Sequence, residues 1–434
     1  MLPADEHPFL DAILANPSAD GPRLVYADYL DETGNPLDAR RAELVRVQVA
    51  LERVPAEQPR HGELKNREVE LVAGFGAAWM APWASLRAEF QFRRGVPDAV
   101  AIDAATFLAR GEELFDNTQT RSGRSFIRRV KVRDAARTLP ALVNCPLLQR
   151  VEELDLGWCD LGNGGVSLLM QSPHLAGIRS LDLGNNRLDD VGAIAVARSA
   201  ALPRLQALAL NDNGQIGSAG AAAIAESPFL AGLHSLDLSG NEIDEHAVRR
   251  LLGGEALSRL TRLVICENPI GRGLPRLFGD LLFTRMLNRE PSCDWHKCDL
   301  DASAAEALAA SPESARIERL NLSDNYLGDA GVAALVRGKW DELRSLELAR
   351  NRLTDAGAFA LLTPALPELR RLDLAGNRLT HRGVDALKAA SVERGFSLDA
   401  ANNGTETVIP LPVANADVQE VAQLRGGISF PARR

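Results

Sequence analysis

A leucine pattern that recurs after residue 150 limits the possible folds of this chain more than any other feature. Around Leu181 the chain reads IRSLDLGNNRLDDVGAIAV, and around Leu372 it reads LRRLDLAGNRLTHRGVDAL. Both fit L-x-x-L-x-L-x-x-N-x-L followed by an Ala/Leu-rich stretch. The second leucine recurs every 26 to 28 residues, except for one gap of 57, at Leu154, Leu181, Leu208, Leu236, Leu263, Leu320, Leu346 and Leu372. Such repeats must stack, because a single repeat cannot bury its own apolar face.

The gap of 57 residues is about two periods and is predicted to contain a ninth, disguised repeat. Aligning LDASAAEAL with LTDAGAFAL of a later repeat puts Leu300 at the last leucine position and Cys298 at the asparagine position. Cys293 and Trp295 then occupy the two strand positions. The segment CDWHKCDL thus matches LDLGWCDL of the first clear repeat, where Cys159 also replaces asparagine.

The same register decides how a possible metal knuckle is interpreted. Cys293, His296 and Cys298 are close in sequence, as the ligands of a small metal site are. In the repeat register Cys293 and Cys298 point into the core, His296 points outward, and the sequence offers no fourth ligand. We therefore predict no metal and no cofactor.

The repeat pattern predicts both layers of the fold. In L-x-L both leucines face one side of a short strand, and identical repeats make these strands parallel. Stretches such as SAGAAAIA suit helices that pack behind the sheet. The asparagine supplies partners for backbone groups where the chain turns after the strand. Since a helix is wider than a strand, the stack should curve with its strands on the concave face.

These motifs resemble leucine-rich repeats of the ribonuclease-inhibitor class, over about residues 150–400. The resemblance implies an α/β solenoid with parallel strands on the concave face and helices on the convex face, here preceded by a small all-α N-terminal domain. Weaker strands are predicted near Val100, Val130 and Phe396. The predicted domains are 1–54 (helical), 55–95 (helical linker), 96–150 (degenerate capping repeats), 151–403 (solenoid) and 404–434 (C-terminal cap and tail).

Near the N-terminus, PRLVYADYLDETG (22–34) raises the question of an active site, because it concentrates tyrosines and carboxylates. The apolar spacing instead predicts three short helices, within FLDAIL, RLVYADYLDE and ARRAELVRVQVALERV. Tyr26 and Tyr29 are predicted to pack with their polar tips exposed. The charged residues predicted to solvate the second helix or to form pairs are Asp28, Asp31 and Glu32 with Arg23, Arg40 and Arg41.

This N-terminal segment resembles a short bacterial companion domain that precedes repeat arrays. The matching pieces are FLDAILANP, PRLVYADYLDETGNP and RAELVRVQVAL. The resemblance implies association with repeats and no known activity.

Composition narrows the function classes. The net charge of −9 argues against binding to nucleic acid, which requires a basic surface. The acidic, proline-interrupted start does not look like a signal peptide, and no apolar run reaches the ~18 residues of a membrane helix. The odd and sparse count of five cysteines argues against a disulfide framework. We expect a cytoplasmic protein with no membrane partner.

The repeat register also predicts which side chains face a partner. Six of the nine residues between the paired apolar positions are acidic, which is either ordinary repeat consensus or a binding surface. In FIRRVKVRD, basic side chains should lie beside Glu153 and Asp155, either in cross-strand ion pairs or as the basic end of a bipolar surface. The predicted partner-binding residues are Arg129, Lys131, Arg133, Asp155, Trp158, Asp182 and Asp237.

The sequence favours a non-enzymatic scaffold that binds a protein partner on the concave face, and the net charge suits a partner with basic patches. No nucleophile elbow or phosphate-binding loop is present in the sequence. Two alternatives stay open: a regulator of a GTPase, by resemblance of repeat class, and an enzyme like the repeat-linked ubiquitin ligases. The second alternative predicts a sizeable catalytic domain after the repeats, but only about 30 residues follow Asn403.

Overall fold

A computed structural model describes residues 6–54, 58–115, 125–253, 257–271, 286–288 and 290–403. The described chain divides into two compact units. The first contains residues up to 160 together with 171–182, and the second contains 161–170 together with residues from 183 onward. The C-terminal cap and tail predicted after Asn403 lie outside the described residues.

The first unit begins with the three predicted helices and a fourth. Their bounds are α1 His7–Ala15, α2 Gly21–Glu32, α3 Pro36–Leu51 and α4 Pro59–Trp79. The Asn35 side chain accepts the Leu37 N–H at 2.9 Å, and Pro36 occupies the first turn of α3, so both residues favour a helix start here. Buried apolar residues from α1, α2 and α3 form one core cluster.

The tyrosines of α2 serve this core. The prediction that the Tyr26 polar tip is exposed is wrong, because Tyr26 is fully buried and its hydroxyl donates to the buried Glu6 carboxylate. Tyr29 is half-buried and stacks on Phe9 with ring centroids 4.5 Å apart. The residue that binds the α2 carboxylates is Arg46, at 2.7 Å from both Asp28 and Asp31.

The segment 22–34, which raised the question of an active site, therefore has a structural role. Arg46 of α3, rather than Arg23, Arg40 or Arg41, pairs with Asp28 and Asp31 of α2. Arg40 instead pairs with Glu43 at 3.1 Å. The reactive side chains of this segment are distributed between the helix core and surface ion pairs.

A β-hairpin follows α4 in the region predicted to be only a linker and a helix. Strand β1 Glu89–Arg93 pairs antiparallel with β2 Val96–Asp103, and Arg94 and Gly95 make the turn with φ values of 49° and 82°. Two positive φ values suit the right-handed twist of the flanking strands. Trp79 packs edge-on against Phe92 of β1 at 5.5 Å, so the C-terminal end of α4 covers this hairpin.

The predicted parallel ladder is confirmed. In the first unit, β3 Arg129–Arg133, β4 Glu153–Asp155 and β5 Ser180–Asp182 follow β2 in register, with Val130, Leu154 and Leu181 aligned. Short helices α5 Ala104–Arg110, α6 Glu112–Phe115 and α7 Leu139–Val143 lie between these strands in sequence. All three weaker strands predicted from the sequence are present, the last at Ser397–Asp399.

The second unit repeats one strand and one helix. Its strands are β6 Ala207–Ala209, β7 Ser235–Asp237, β8 Arg262–Val264, β9 Ser292–Asp294, β10 Arg319–Asn321, β11 Ser345–Glu347, β12 Arg371–Asp373 and β13 Ser397–Asp399. Its helices are α8 Gly162–Leu169, α9 Asp190–Ala197, α10 Ser218–Ala225, α11 Glu245–Gly253, α12 Ala302–Ala310, α13 Gly328–Leu335, α14 Asp355–Leu361 and α15 His381–Arg394. The nine strands predicted at the marker positions are thus all present, but in the described part of the chain those of the second unit form two ladders, β6–β8 and β9–β13, with no strand pairing between β8 and β9.

The disguised repeat has the predicted register. Cys293 of β9 lies opposite Leu320 of β10, and Cys293, Trp295 and Cys298 are all buried. The Cys298 N–H and the Leu300 N–H both donate to Asn325 Oδ1 at 3.0 Å. The asparagine of the following repeat therefore satisfies the turn that Cys298 leaves without a carboxamide.

Buried asparagines link the turns of the second unit. Asn241 Nδ2 donates to the carbonyls of Leu210, Leu238 and Ser239 at 2.9 to 3.1 Å. Its Oδ1 accepts the Gly214 N–H at 3.1 Å. Each asparagine thus pairs backbone groups of its own repeat and of the preceding one, which explains why the motif requires it.

Candidate partner-binding surface

The candidate surface is the strand face, meaning the side of each sheet onto which the residue between the two paired apolar positions projects. In the first unit a basic strand, β3, lies between acidic neighbours. Arg129 pairs with Asp98 of β2 at 2.7 Å, and Arg133 pairs with Glu89 of β1 at 2.9 Å.

Lys131, the middle residue of β3, pairs across the ladder with Asp155 of β4 at 2.9 Å. The three basic residues predicted to contact a partner are thus all engaged in ion pairs within the first unit. This arrangement favours the cross-strand interpretation over a free basic end.

Two of the predicted acidic contacts are buried. Asp155 has 3% of its side chain exposed and accepts the Gly157 N–H at 2.8 Å. Burial raises the pKa of Asp155, although Lys131 and the Gly157 N–H oppose this shift. Asp237 is 5% exposed and accepts the Ser239 N–H and hydroxyl at 3.0 and 2.6 Å.

The acidic residues between the paired apolar positions accept the same kind of backbone bond in other repeats. Asp373 and Asp399 accept the N–H of the residue two positions later at 2.8 and 2.9 Å. The acidic consensus therefore stabilises the turn after the strand. Burial raises the pKa of Asp373, and the charge of Asp399 adds to this shift, whereas the Ala375 N–H opposes it.

Asp182 and Trp158 differ from Asp155 and Asp237. Asp182 is half-buried on β5, in register with Asp155. Trp158 has 75% of its surface exposed, and its backbone is left-handed with φ of 63°. An exposed indole in a conformation that disfavours large residues contributes little to the core of the first unit.

The repeat position of Trp158 makes it unusual. Every equivalent residue from the next repeat to Asn402 also has positive φ, and most are residues that tolerate this region: Asn185, Asp212, Gly240, Asp324, Gly376 and Asn402. Trp158 is the large aromatic member of this series, so its side chain is not explained by the turn that it occupies.

The sequence prediction did not include a cation–π pair of the second unit. Tyr326 is 49% exposed, and the Arg352 guanidinium lies over its ring at 4.4 Å. The two residues directly follow the repeat asparagines Asn325 and Asn351 of successive repeats. The signal was available, because residues one period apart at the same repeat position lie side by side.

Comparisons with known proteins agree with this architecture. A leucine-rich-repeat family model matches six segments: 149–170, 178–197, 202–225, 317–336, 343–362 and 366–388. The human NACHT, LRR and PYD domains-containing protein 5 is 32% identical over 166 residues, which cover 36% of this chain. The chain spans only 11% of the length of that relative.

Solved structures give weaker likenesses. An internalin from Listeria monocytogenes is 18% identical with a TM-score of 0.37, covering 66% of this chain and 68% of the internalin. A chain of the yeast Rad7 and Elc1 complex is 14% identical with a TM-score of 0.42, covering 95% of this chain and 97% of that one.

None of the helices among the described residues is both long and apolar enough to cross a membrane. The regular ladder of leucine strands, the asparagine bonds between turns and the six matched segments all identify the same repeat. The chain is a leucine-rich-repeat protein.

Proposed function

We propose that this protein is a non-enzymatic scaffold that binds a protein partner through the strand face of its first unit and the turn that follows β4, with Trp158 of that turn as the main anchor. The observation that carries the proposal is the 75% exposure of this indole at a turn position where smaller residues would fit better. Trp is among the residues that most often dominate the binding energy of an interface. Leucine-rich repeats are in general a framework for protein–protein interaction.

The charge of the strand face suggests the chemistry of the partner. Asp182 lies in register beside Asp155, so two carboxylates adjoin on this part of the strand face. A cationic side chain of a partner would therefore be attracted to this region. With a net charge of −9 on the whole chain, we expect a partner with a basic patch and binding that weakens as salt is added.

The ion pairs change the roles of the other predicted contacts. Arg129, Lys131 and Arg133 are proposed to shape the surface rather than to attract a partner, since each already has an acidic partner. Asp155 and Asp237 are proposed to act through the backbone that they hold. A stable complex would bury roughly 1,200–2,000 Å² in total, so contacts beyond Trp158 and Asp182 are required.

Substituting Trp158 by glycine tests the proposal. We expect Trp158→Gly to weaken binding by at least about 2 kcal/mol, roughly 30-fold, because an aromatic anchor is lost. Stability should fall by no more than about 0.5 kcal/mol, because the side chain is exposed and glycine accepts positive φ. The partner is first captured from the native host with the wild-type chain and identified by mass spectrometry, and its affinity is then titrated.

Controls separate this surface from others. Phe229→Ala removes another exposed aromatic ring, and Arg198→Glu reverses an exposed charge at the end of α9; both should leave the affinity unchanged. Asp182→Lys should weaken binding of a basic partner and reduce its salt dependence. A partner that binds Trp158→Gly as tightly as wild type, yet is lost with Phe229→Ala, would place the interface elsewhere.

A further inference from the structure

Two consecutive repeats of the second unit bring a thiol, an imidazole and a carboxylate together. Cys266 lies two residues after β8, and His296 lies at the equivalent position two residues after β9. The Glu267 N–H donates to the His296 carbonyl at 3.0 Å, which holds the two turns in register. One potential ligand atom each from Cys266, Asp294 and His296 lies within 4.8 Å of the other two.

The orientation of the His296 ring is fixed from both sides. Its Nδ1 lies 2.7 Å from Asp294 Oδ1, and its Nε2 lies 3.0 Å from Glu267 Oε1. Lys297 Nζ lies 3.1 Å from the other oxygen of Glu267. With an Nε2–H that donates to Glu267, Nδ1 faces Asp294, and it can bind an ion once its proton is lost.

The cluster is enclosed at its base and open above. Cys266 is 2% exposed, whereas the side chains of Asp294 and His296 are 31% and 17% exposed. An ion can therefore reach the carboxylate and the imidazole from solvent and then contact the thiol. This cluster shares only His296 with the Cys293, His296 and Cys298 knuckle considered from sequence. Cys293 and Cys298 belong to the core.

The donor set selects a class of metal. Thiolate, imidazole and carboxylate are the ligands of Zn²⁺, at about 2.0–2.3 Å from the ion, whereas Ca²⁺ and Mg²⁺ prefer oxygen only. Two ligands bonded to one tetrahedral ion lie roughly 3.4 Å apart. The Asp294 and His296 atoms, now 2.7 Å apart, would need to separate by less than about 1 Å, which side-chain rotation provides.

The surroundings match those of a metal-bound histidine. Such a histidine usually donates its second ring N–H to a carboxylate, which fixes the tautomer and strengthens the ligand. Glu267 occupies this place, and Lys297 in turn holds Glu267.

We propose that Cys266, Asp294 and His296 bind one divalent transition-metal ion of the zinc class, with Glu267 orienting the histidine and water completing the coordination. The ion takes the place of the protons on the Cys266 thiol and on His296 Nδ1. It thereby joins the turns of two successive repeats. This site shares no residue with the proposed partner surface of the first unit.

Cobalt(II) titration of the full chain, free of any affinity tag and stripped with a chelator, tests the site. We expect one Co²⁺ per chain, with the near-ultraviolet charge-transfer band of a cobalt–thiolate bond, and displacement of the cobalt by Zn²⁺. Cys266→Ser should abolish the charge-transfer band, and His296→Gln should abolish stoichiometric binding. Glu267→Gln should weaken binding about 10–100-fold, as the loss of an outer carboxylate does elsewhere.

Matched controls remove the same residue types at other positions. Cys145→Ser and His234→Gln should bind cobalt as the wild type does. Circular dichroism checks that each variant is folded, and Asp294→Asn, which keeps the side-chain size, replaces any variant that is not. A charge-transfer band that survives in Cys266→Ser, equal affinity in Asp294→Asn, or no saturable binding by the wild type would each overturn the proposal.

Discussion

Alanine at Asn241 or at Asn351 lowers the free energy of unfolding by about 1–3 kcal/mol at each site, because buried backbone groups lose their side-chain partner in the turn. Asn351 is fully buried, and its Nδ2 donates to the carbonyls of Leu322 and Ala349 at 2.7 and 3.1 Å. Its Oδ1 accepts the Leu327 N–H at 3.3 Å. Alanine cannot replace these bonds, and the vacated space lies inside the stack.

Chemical denaturation of each single variant measures this cost. Asn144→Ala is the matched control, because Asn144 is exposed and its Nδ2 makes a local bond, to the Pro140 carbonyl at 2.8 Å. That control should change stability by less than about 0.5 kcal/mol. Losses that small at both Asn241 and Asn351 would mean that the asparagine bonds contribute nothing to the stack.

The leucine spacing was sufficient to predict the ladder, because the strand register is a property of the repeat. Once Leu320 and Leu346 are placed one period apart, stacking aligns them, and the structure pairs them directly. The same logic located Cys293 without any leucine in its strand. A degenerate repeat can be aligned with the clear repeats on either side of it, whereas a single isolated strand has no equivalent segment with which to align.

The hairpin after α4 was missed although its sequence carries a signal. Phe90 and Phe92 alternate with polar residues, and Arg94 with Gly95 can form a two-residue turn. Strand β1 has no repeat partner in the sequence, so stacking arguments could not reveal it.

The candidate surface shows what a strand register leaves undetermined. Period two specifies the side of the sheet on which Asp155, Asp237 and Cys266 lie, but not how deep they lie. Depth depends on local neighbours: Asp155 and Asp237 bend toward N–H groups two residues later, and Cys266 is 2% exposed beside His296. Trp158 is the opposite case, where a left-handed turn directs a large side chain into solvent.

The proposed partner surface and the proposed metal site lie at the same part of the repeat, the turn after the strand. This turn is short, and buried asparagines hold its backbone in place. Trp158 occupies the left-handed position of one such turn. Cys266 and His296 directly precede the equivalent left-handed positions of two other turns. The repeat thus supplies a rigid framework, and substitutions at a few turn positions supply chemistry.

The largest loss of stability is expected from Gly95→Ala, at about 2–5 kcal/mol. Gly95 has φ of 82°, and an added Cβ would lie 2.1 Å from Val45 Cγ2 and 3.0 Å from the Val45 Cα of α3. Its N–H also donates to Gln48 Oε1 at 2.7 Å, so the turn cannot move away from α3 without breaking a buried bond. Strain in the backbone and overpacking therefore add.

Two other glycines of the first unit separate these contributions. Gly34 has φ of 69° with no atom within 4 Å of an added methyl group, so Gly34→Ala should cost only the conformational strain, about 1–2 kcal/mol. Gly74 lies within α4 in open space, so Gly74→Ala should be neutral or stabilising. Urea unfolding followed by the fluorescence of Trp79 and Trp83, which contact β1, reports on this unit. Equal losses for Gly95→Ala and Gly34→Ala would show that the contact between the hairpin turn and α3 is not tight, and the packing of β1 against the helices would have to be revised.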